Sequence, residues 1–409
     1  MLNKYQSKKV CGTGVVNMTV YLDNNATTAL RKEALDAMIP YLTEHYGNAS
    51  SKFYKIGRDA EQAVYSFRET IAEAIGAKTN EIYFTGSGCE ADNWALKGVA
   101  DAYAQKGKHI ITSSIEHHAI LNTCAFLEKH GYSITYLPVD EYGCVNPADV
   151  EKAITEDTIL ISVMTVNNEI GSVQPIAEIG EIAKRHKILF HTDAVQAMGH
   201  MKIDVNEMGV DLLSMSAHKF HGPKGIGALY IRNGVKISNL IHGGGQERGK
   251  RAATENVAGM AGMAKALELA TEHLDVNMAH MSKMRDMLIK GIEEKIPYCR
   301  LNGPRPEKRN CNNVNFSFKY VEGESILMML DMKGIAASSG SACASGSLDP
   351  SHVLLAIGLP HEIAHGSLRL SVSEFTTEED VNYLLEVLPP IIDRLRMMSP
   401  LYEEVLRKD

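Results

Sequence analysis

Leu212-Leu213-Ser214-Met215-Ser216-Ala217-His218-Lys219 is a short apolar run that ends in small polar residues, a histidine and a lysine. A run of this length bounded by polar residues reads as a buried strand. Upstream, Ile188-Leu189-Phe190-His191-Thr192-Asp193-Ala194-Val195-Gln196 follows the same plan and ends in a carboxylate. Further β-rich runs fall at 81–85, 109–113, 134–138, 159–165 and 226–231, and helical patterns at 34–44, 59–75, 91–105, 120–130 and 176–185 separate many of them. Apolar strands alternating with helices predict βαβ units and a mainly parallel sheet covered by helices on both faces, an α/β fold. Ligands of such sheets sit beyond the C-terminal ends of the strands, so the loops that follow strands are where chemistry is expected.

After residue 255 the pattern changes. Helical stretches at 257–274 and 278–295 precede a strand-like run at 313–318 and a helix at 322–333. A Ser/Gly-rich loop at 338–347, a strand at 367–373 and a helix from Thr377 complete a mixed α+β tail. At 409 residues the chain exceeds the size at which one hydrophobic core usually stops growing, so a smaller C-terminal domain is expected. Met18 stands directly before the first strand-like run, which leaves 1–17 as an expected disordered extension.

Apolar residues make up 44% and charged residues 22%, an ordinary globular composition. A formal charge of −8 gives no general attraction for nucleic acid or an anionic membrane. No apolar stretch has the ~18 to 20 residues of a membrane span, and the first residues lack the apolar core of a signal peptide. The seven cysteines are scattered without a CxxC pair, which argues for a reducing, cytoplasmic setting and against a disulfide framework or a zinc site.

Several strand-end loops carry unusual polar residues. Lys219 in a partly apolar pocket could condense with an aldehyde, whereas a lone lysine after a strand is ordinarily a surface residue. Ser216 and His218 beside it could donate to a phosphate. Asp193 suits a protonated pyridine nitrogen, with Gln196 in reach of a ring oxygen; the plainer alternative is an Asp that caps the next helix. Thr85-Gly86-Ser87-Gly88-Cys89-Glu90 offers backbone N–H groups at a helix start, as any βα turn can. Glu116-His117-His118 offers an imidazole for stacking and proton transfer, and Val166-Asn167-Asn168-Glu169 offers amides or a plain Asx turn. In the tail, Gly340-Ser341-Ala342-Cys343-Ala344-Ser345 sets a thiol among small residues, expected to be exposed and mobile, and Arg369 could grip a carboxylate. Gly244 to Lys250 imitates a nucleotide loop, but Arg251 stands where the metal-binding hydroxyl belongs, so that reading fails.

Taken in order, Tyr21-Leu22-Asp23-Asn24-Asn25-Ala26-Thr27-Thr28 and the stretches 166–171, 191–196, 214–227, 243–254 and 338–351 resemble the cysteine desulfurases of the NifS/IscS type. These are class V aminotransferase relatives with the pyridoxal 5'-phosphate (PLP) transferase fold of type I. The resemblance implies a large PLP-binding domain at 31–274, a small domain at 275–409 that carries the cysteine loop, and a segment 18–30 packed with that small domain. Lys219 would be the cofactor lysine, Asp193 the partner of the ring nitrogen, Gln196 that of the ring oxygen, and His117 the stacking histidine. Ser216, His218, Gly88 and Cys89 would lie at the phosphate, with Thr254 reaching across from the second subunit of a homodimer. Asn24, Asn168 and Arg369 would hold the substrate, and Cys343 would carry sulfur as a persulfide. No resident metal is implied.

One departure is Gly88-Cys89, where the family usually has Ala-Thr or Gly-Thr; a weak thiol donor replaces a hydroxyl, so weaker phosphate anchoring is expected. The implied reaction turns L-cysteine into L-alanine and hands the sulfur to an acceptor protein such as a NifU/IscU-like scaffold. A selenocysteine lyase or a related class V aminotransferase would share Lys219 and Asp193, and an inactive docking scaffold is the alternative of another class.

Overall fold

The computed structural model describes residues 20–339 and 350–406; the expected extension at 1–17 and the loop with Cys343 lie outside the described residues. The strands are β1 (Val20–Tyr21), β2 (Ile82–Thr85), β3 (His109–Ser113), β4 (Ser133–Leu137), β5 (Thr158–Ser162), β6 (Leu189–Asp193), β7 (Leu212–Ser216), β8 (Gly227–Ile231), β9 (Cys299–Leu301), β10 (Asn313–Phe318), β11 (Ile335–Ala336) and β12 (Ser367–Ser371). Seven of them form one sheet in the order β2-β8-β7-β6-β5-β3-β4. Neighbours are parallel from β7 through β4, while β8 runs antiparallel to both β2 and β7. Every residue of β3, β5, β7 and β8 is buried, which is why these strands read as apolar stretches with small polar residues and not as a strict polar–apolar alternation.

Helices cover both faces. On one side α1 (Lys32–Thr43), α2 (Lys55–Ala74) and the helix Val257–Glu272 bury Ile71, Ile75, Phe190, Met215 and Met263 in a single cluster. The buried positions of α2 (Ala60, Val64, Arg68, Ile71) recur every three or four residues, the spacing of one helical face. On the other side α3 (Gly88–Ala102) and the helix His118–Glu128 bury Trp94, Leu96, Ile110, Cys124 and Leu229. Helix α2 starts four residues ahead of the predicted 59, because Gly57 is a packing residue and not a stop. A Cβ there would meet the Ser51 carbonyl oxygen at 2.0 Å.

A second sheet, β12-β10-β9, is antiparallel throughout and packs on the helices Leu274–Lys295 and Glu378–Met397. The first of these begins a turn before the predicted 278, with Asp275 in its opening turn, where a carboxylate favours the helix dipole. The core of this unit contains Leu288, Phe316, Leu370 and Leu384 together with Val20 and Leu22 from the start of the described chain. β1 pairs in parallel with β11, and Ser371 N donates to Leu22 O at 2.7 Å. A few residues on, Thr28 N donates to His218 O and Arg31 N to His221 O, both at 3.0 Å. The segment from 20 to 31 therefore runs from the second sheet to the loop that follows β7.

Loop 243–254 is tied down by a buried ion pair. Glu247 accepts from Arg68 Nη1 and Nη2, each at 2.7 Å, and from Phe84 N at 2.9 Å, with both side chains under a tenth exposed. Removing one partner strands the other as a buried, uncompensated charge. Glu247→Ala is expected to destabilise the chain by about 3–5 kcal/mol, seen as a lower urea midpoint; an unchanged midpoint would mean that the pair is solvated.

Candidate active site

The loops after β3, β5, β6 and β7 converge with the start of α3 on a cavity of about 320 Å³. Lys219, Asp193, Gln196, Ser216, His218, His117, Gly88, Cys89, Asn168 and Arg369, drawn from distant parts of the sequence, all line it. Two predicted residues do not. Asn24 spends its amide on the Ser371 and Tyr21 carbonyl oxygens (2.8 and 3.4 Å), and it is Asn25 and Ala26 that reach the cavity. Thr254 lines a separate cavity of about 230 Å³ with Gly86, Glu247 and Arg251. Cys343 lies outside the described residues.

Lys219 follows β7 in a single 3₁₀ turn, and its Nζ donates to Asn25 O (2.6 Å) and Ala26 O (2.9 Å). Gln196 Nε2 donates to the same Asn25 carbonyl at 2.9 Å. The Asn25 side chain is committed as well: Nδ2 donates to Asn168 O and Oδ1 accepts from Asn312 Nδ2, both at 3.0 Å. Asp193 ends β6, and its Oδ1 accepts from Val195 N at 2.9 Å. The turn-capping role and the position in the cavity thus coexist in one carboxylate. Burial pushes its pKa up to about 6, although the Val195 N–H and Lys219 oppose the rise.

His117 caps the helix His118–Glu128, its Nδ1 accepting from Ala119 N at 3.1 Å. Burial, then Lys219 and His118, lower its pKa to about 4, so the ring is neutral at pH 7. With Nδ1 an acceptor, the proton sits on Nε2, and the ring offers a donor. His117 can take up a proton only by releasing the helix cap, a constraint absent from the reading of an open proton shuttle. His218 is likewise held down at about 4 by burial and the lysines beside it, and its Nδ1 lies 3.1 Å from Thr27 Oγ1.

At the start of α3, Ser87 Oγ accepts from Glu90 N at 3.1 Å, which fixes the turn that presents Gly88 and Cys89. A Cβ on Gly88 would lie 2.7 Å from Val195 Cγ2 and 3.2 Å from Ser216 Cβ, so the start of α3 packs closely against the loops that follow β6 and β7. Cys89 is exposed, with its thiol pushed up by burial and by Asp92 and Asp193. A thiol held protonated is a poor nucleophile. Arg369, 2% exposed, is aimed by Asp23, whose Oδ1 accepts from Nη2 at 2.8 Å, while Nη1 donates to Asn168 O at 3.4 Å. Its Nε has no partner among the described residues.

The flanks of the segment that bears Cys343 converge on the same place. Ser338 exchanges backbone hydrogen bonds with Arg369 (3.1 and 2.6 Å), Ser351 Oγ bonds the Glu169 carboxylate, and His352 Nε2 bonds Glu116 O at 2.9 Å. Sequence reading gave no role to Asn25, Asp92, Glu116 or Glu169. Asp92 did carry a signal, being a charged residue on the apolar face of α3 beside Ala91, Ala95 and Leu96.

Aminotransferase class V is the family that matches, over residues 20–384. The cysteine desulfurase IscS of Clostridium botulinum (strain Hall) is 59% identical over 393 residues, covering 96% of this chain and 99% of its own. That of Methanosarcina thermophila is 59% identical over 385 residues, covering 94% and 95%. Among solved structures, a NifS-like protein superposes with a TM-score of 0.87 at 39% identity, covering 92% of this chain and all of its own. SspA in complex with cysteine superposes at 0.78 and 37% identity, covering 88% of this chain and all of its own.

Because the folded chain resists protonating His117, stability that is full above the ordinary histidine value of ~6.5 should fall as the pH drops from there towards 4. The ring resonances, assigned with His117→Asn, are expected to titrate near 4; a midpoint at the ordinary value would show an open, solvated ring.

Proposed function

The chain belongs to the aminotransferase class V family and, within it, to the cysteine desulfurases, and on that premise we propose that it converts L-cysteine to L-alanine with pyridoxal 5'-phosphate and passes the sulfur to Cys343. The observation that carries this reading is the convergence of Lys219, Asp193, Gln196 and Arg369 on one cavity at the strand ends. The residues present fit the cofactor. An amine and a carboxylate line the same cavity, Ser216 and His218 flank the lysine, and the start of α3, whose Ser87, Gly88 and Cys89 line the cavity, offers N–H groups for a phosphate. Lys219, Asp193 and Gln196 would hold the ring, and Ser216, His218, Gly88 and Cys89 the phosphate.

When bound, the cofactor supplies an aldehyde carbon for an amino group and a pyridine ring that withdraws electrons. Arg369, oriented by Asp23, binds the substrate carboxylate through its guanidinium. Asn168 adds its amide beside it. Lys219 Nζ gives up its carbonyl partners, takes the substrate Cα proton and later returns one. Asp193 would supply the negative charge that keeps a ring nitrogen protonated. His117 donates from Nε2 to the reacting sulfur, and handles the thiol proton only when the Ala119 cap opens. Cys343, as thiolate, attacks the substrate sulfur; an S–S bond forms, the Cβ–S bond breaks, and the carbon fragment takes up protons to leave as alanine. The persulfide then goes to an acceptor protein of the NifU/IscU-like kind.

Thr254 fits a homodimer, since it stands away from the cavity of its own chain. The chain also divides functionally on this reading, with 31–274 holding the cofactor and 275–409 carrying the thiol. No described helix is long and apolar enough to cross a membrane; the cytoplasm is the compartment proposed, on the cysteine pattern.

Alanine formation from L-cysteine with a thiol reductant tests the proposal. Wild type is expected to turn over steadily and Cys343→Ser to stop, with yellow cofactor retained in both; equal rates would remove Cys343 from the reaction. Cys89→Thr restores a hydroxyl at the phosphate and is expected to tighten cofactor binding by about 0.5–1.5 kcal/mol, a factor of ~2 to 10 in dissociation constant. Equilibrium dialysis against the free cofactor measures it, and weaker binding would place the side chain away from the phosphate.

A further inference from the structure

Asp92, which lines the cavity, belongs to a buried polar cluster to which the proposed reaction gives no role. Asp92 projects from the buried face of α3 and is 1% exposed. Its Oδ1 has no hydrogen-bond partner among the described residues and stands 3.7 Å from His191 Nε2, beyond hydrogen-bond reach. His191, wholly buried on β6, bonds Ser162 Oγ through Nδ1 (2.9 Å) and Ser214 Oγ through Nε2 (3.0 Å). Ser214 stands close enough to the Asp92 carboxyl to favour its charged form were the hydroxyl to donate there, but that hydroxyl lies within hydrogen-bond distance of His191 Nε2 instead. Two further buried carboxyls face the cluster: Asp193, two residues along the same strand, and Glu116, which accepts from Ser113 Oγ and Met164 N. Lys219 is the lysine on the same cavity wall.

Three carboxylates cannot all remain ionised at such a site. Asp193 accepts an N–H and shares the cavity with the lysine, whereas Asp92 has a bare oxygen with no donor. An anionic oxygen left without a donor is far more costly in the interior than the carbonyl oxygen of a neutral acid.

We propose that Asp92 is held as a neutral carboxylic acid whose O–H donates to Ser214 Oγ, that Ser214 donates to His191 Nε2 and His191 Nδ1–H to Ser162 Oγ, and that this leaves the negative charge of the cavity floor on Asp193. Asp92 is thereby a positioning residue: it fixes the tautomer of His191 and spares Asp193 a neighbouring anion. Burial and the nearness of Asp193 hold the Asp92 carboxyl well above the usual carboxylate range, and burial lowers His191 to about 3, so its ring is neutral. Only the last clause, on Asp193, rests on the function proposed above; the hydrogen-bond chain does not.

The test uses the full-length chain, with and without pyridoxal phosphate. Nitrogen NMR of histidine-labelled protein at neutral pH reads the His191 tautomer, assigned with His191→Gln. The expected result is Nδ1–H in wild type and in Asp92→Asn, whose amide N–H replaces the acid O–H, and a mixture of Nδ1–H and Nε2–H in Asp92→Ala, where nothing fixes the Ser214 hydroxyl. Infrared spectroscopy should show a carboxylic-acid C=O band in wild type that Asp92→Asn removes, a measurement that stands even where the alanine variant does not fold. An Nε2–H ring in wild type, or the absence of that band, would overturn the chain. With cofactor bound, Asp92→Asn should leave the pH midpoint of the cofactor absorbance where it is, because one neutral group replaces another. A displaced midpoint would overturn the neutral assignment, and a chain that binds no cofactor would overturn the Asp193 clause alone.

Discussion

Two carbonyl oxygens, those of Asn25 and Ala26, hold the Lys219 amine at 2.6 and 2.9 Å, and the arrangement of the cavity turns on that contact. The segment that supplies them is pinned to the second sheet on one side, where Asn24 Nδ2 donates to Ser371 O and Asn25 N to Ser371 Oγ, both at 2.8 Å. On the other side it is pinned to the lysine loop itself through Thr28 and Arg31. Main-chain oxygens at the start of the described chain thus set where the reactive amine stands. The same Asn25 carbonyl orients Gln196, and the Asn25 side chain reaches Asn168. A displacement of this segment would move the amine, the amide and the backbone that supports Arg369 together.

The cavity combines fixed charges with neutral rings. His117, His191 and His218 are all held below the ordinary histidine range, chiefly by burial, so near pH 7 they serve as hydrogen-bonding surfaces and not as cations. The positive charge is concentrated on Lys219 and Arg369, and the second of these is steadied by Asp23. Such a division suits the proposed function, in which one end of the cavity would grip a carboxylate and the other would remove a proton. The flanks of the cysteine-bearing segment are bonded to Arg369 and Glu169, so on the proposed function a substrate held by Arg369 would touch the same backbone that leads to the thiol.

Much of this was legible in the sequence because the strands of the large sheet, apart from the edge strand β4, are buried on both faces. Each is a short apolar run, and the polar residue that ends it stands out: Asp193 after β6, and Ser216 through Lys219 after β7. Helix bounds were less legible where packing overrode propensity, as at Gly57 inside α2. The contribution of Asn25 was hidden for a different reason. It works mainly through its backbone carbonyl, which any residue carries, so no side-chain pattern announces it. Asn24 looked equally suited to bind substrate, but which of two adjacent amides faces the cavity is decided by the bond to Ser371, a residue some 350 positions away. Thr254 could not be located relative to Lys219 from spacing, because loop 243–254 is held by Glu247 to α2 and β2 and not to the lysine strand.

The central claim is that sulfur leaves L-cysteine in this cavity and arrives on Cys343. A single turnover with isotopically labelled L-cysteine sulfur, followed by alkylation and peptide mass analysis, tests it most directly. The account predicts one labelled sulfur on the peptide that contains Cys343 and none on the peptide that contains Cys89. Label on the Cys89 peptide, or alanine formed with no labelled sulfur on any cysteine, would contradict it.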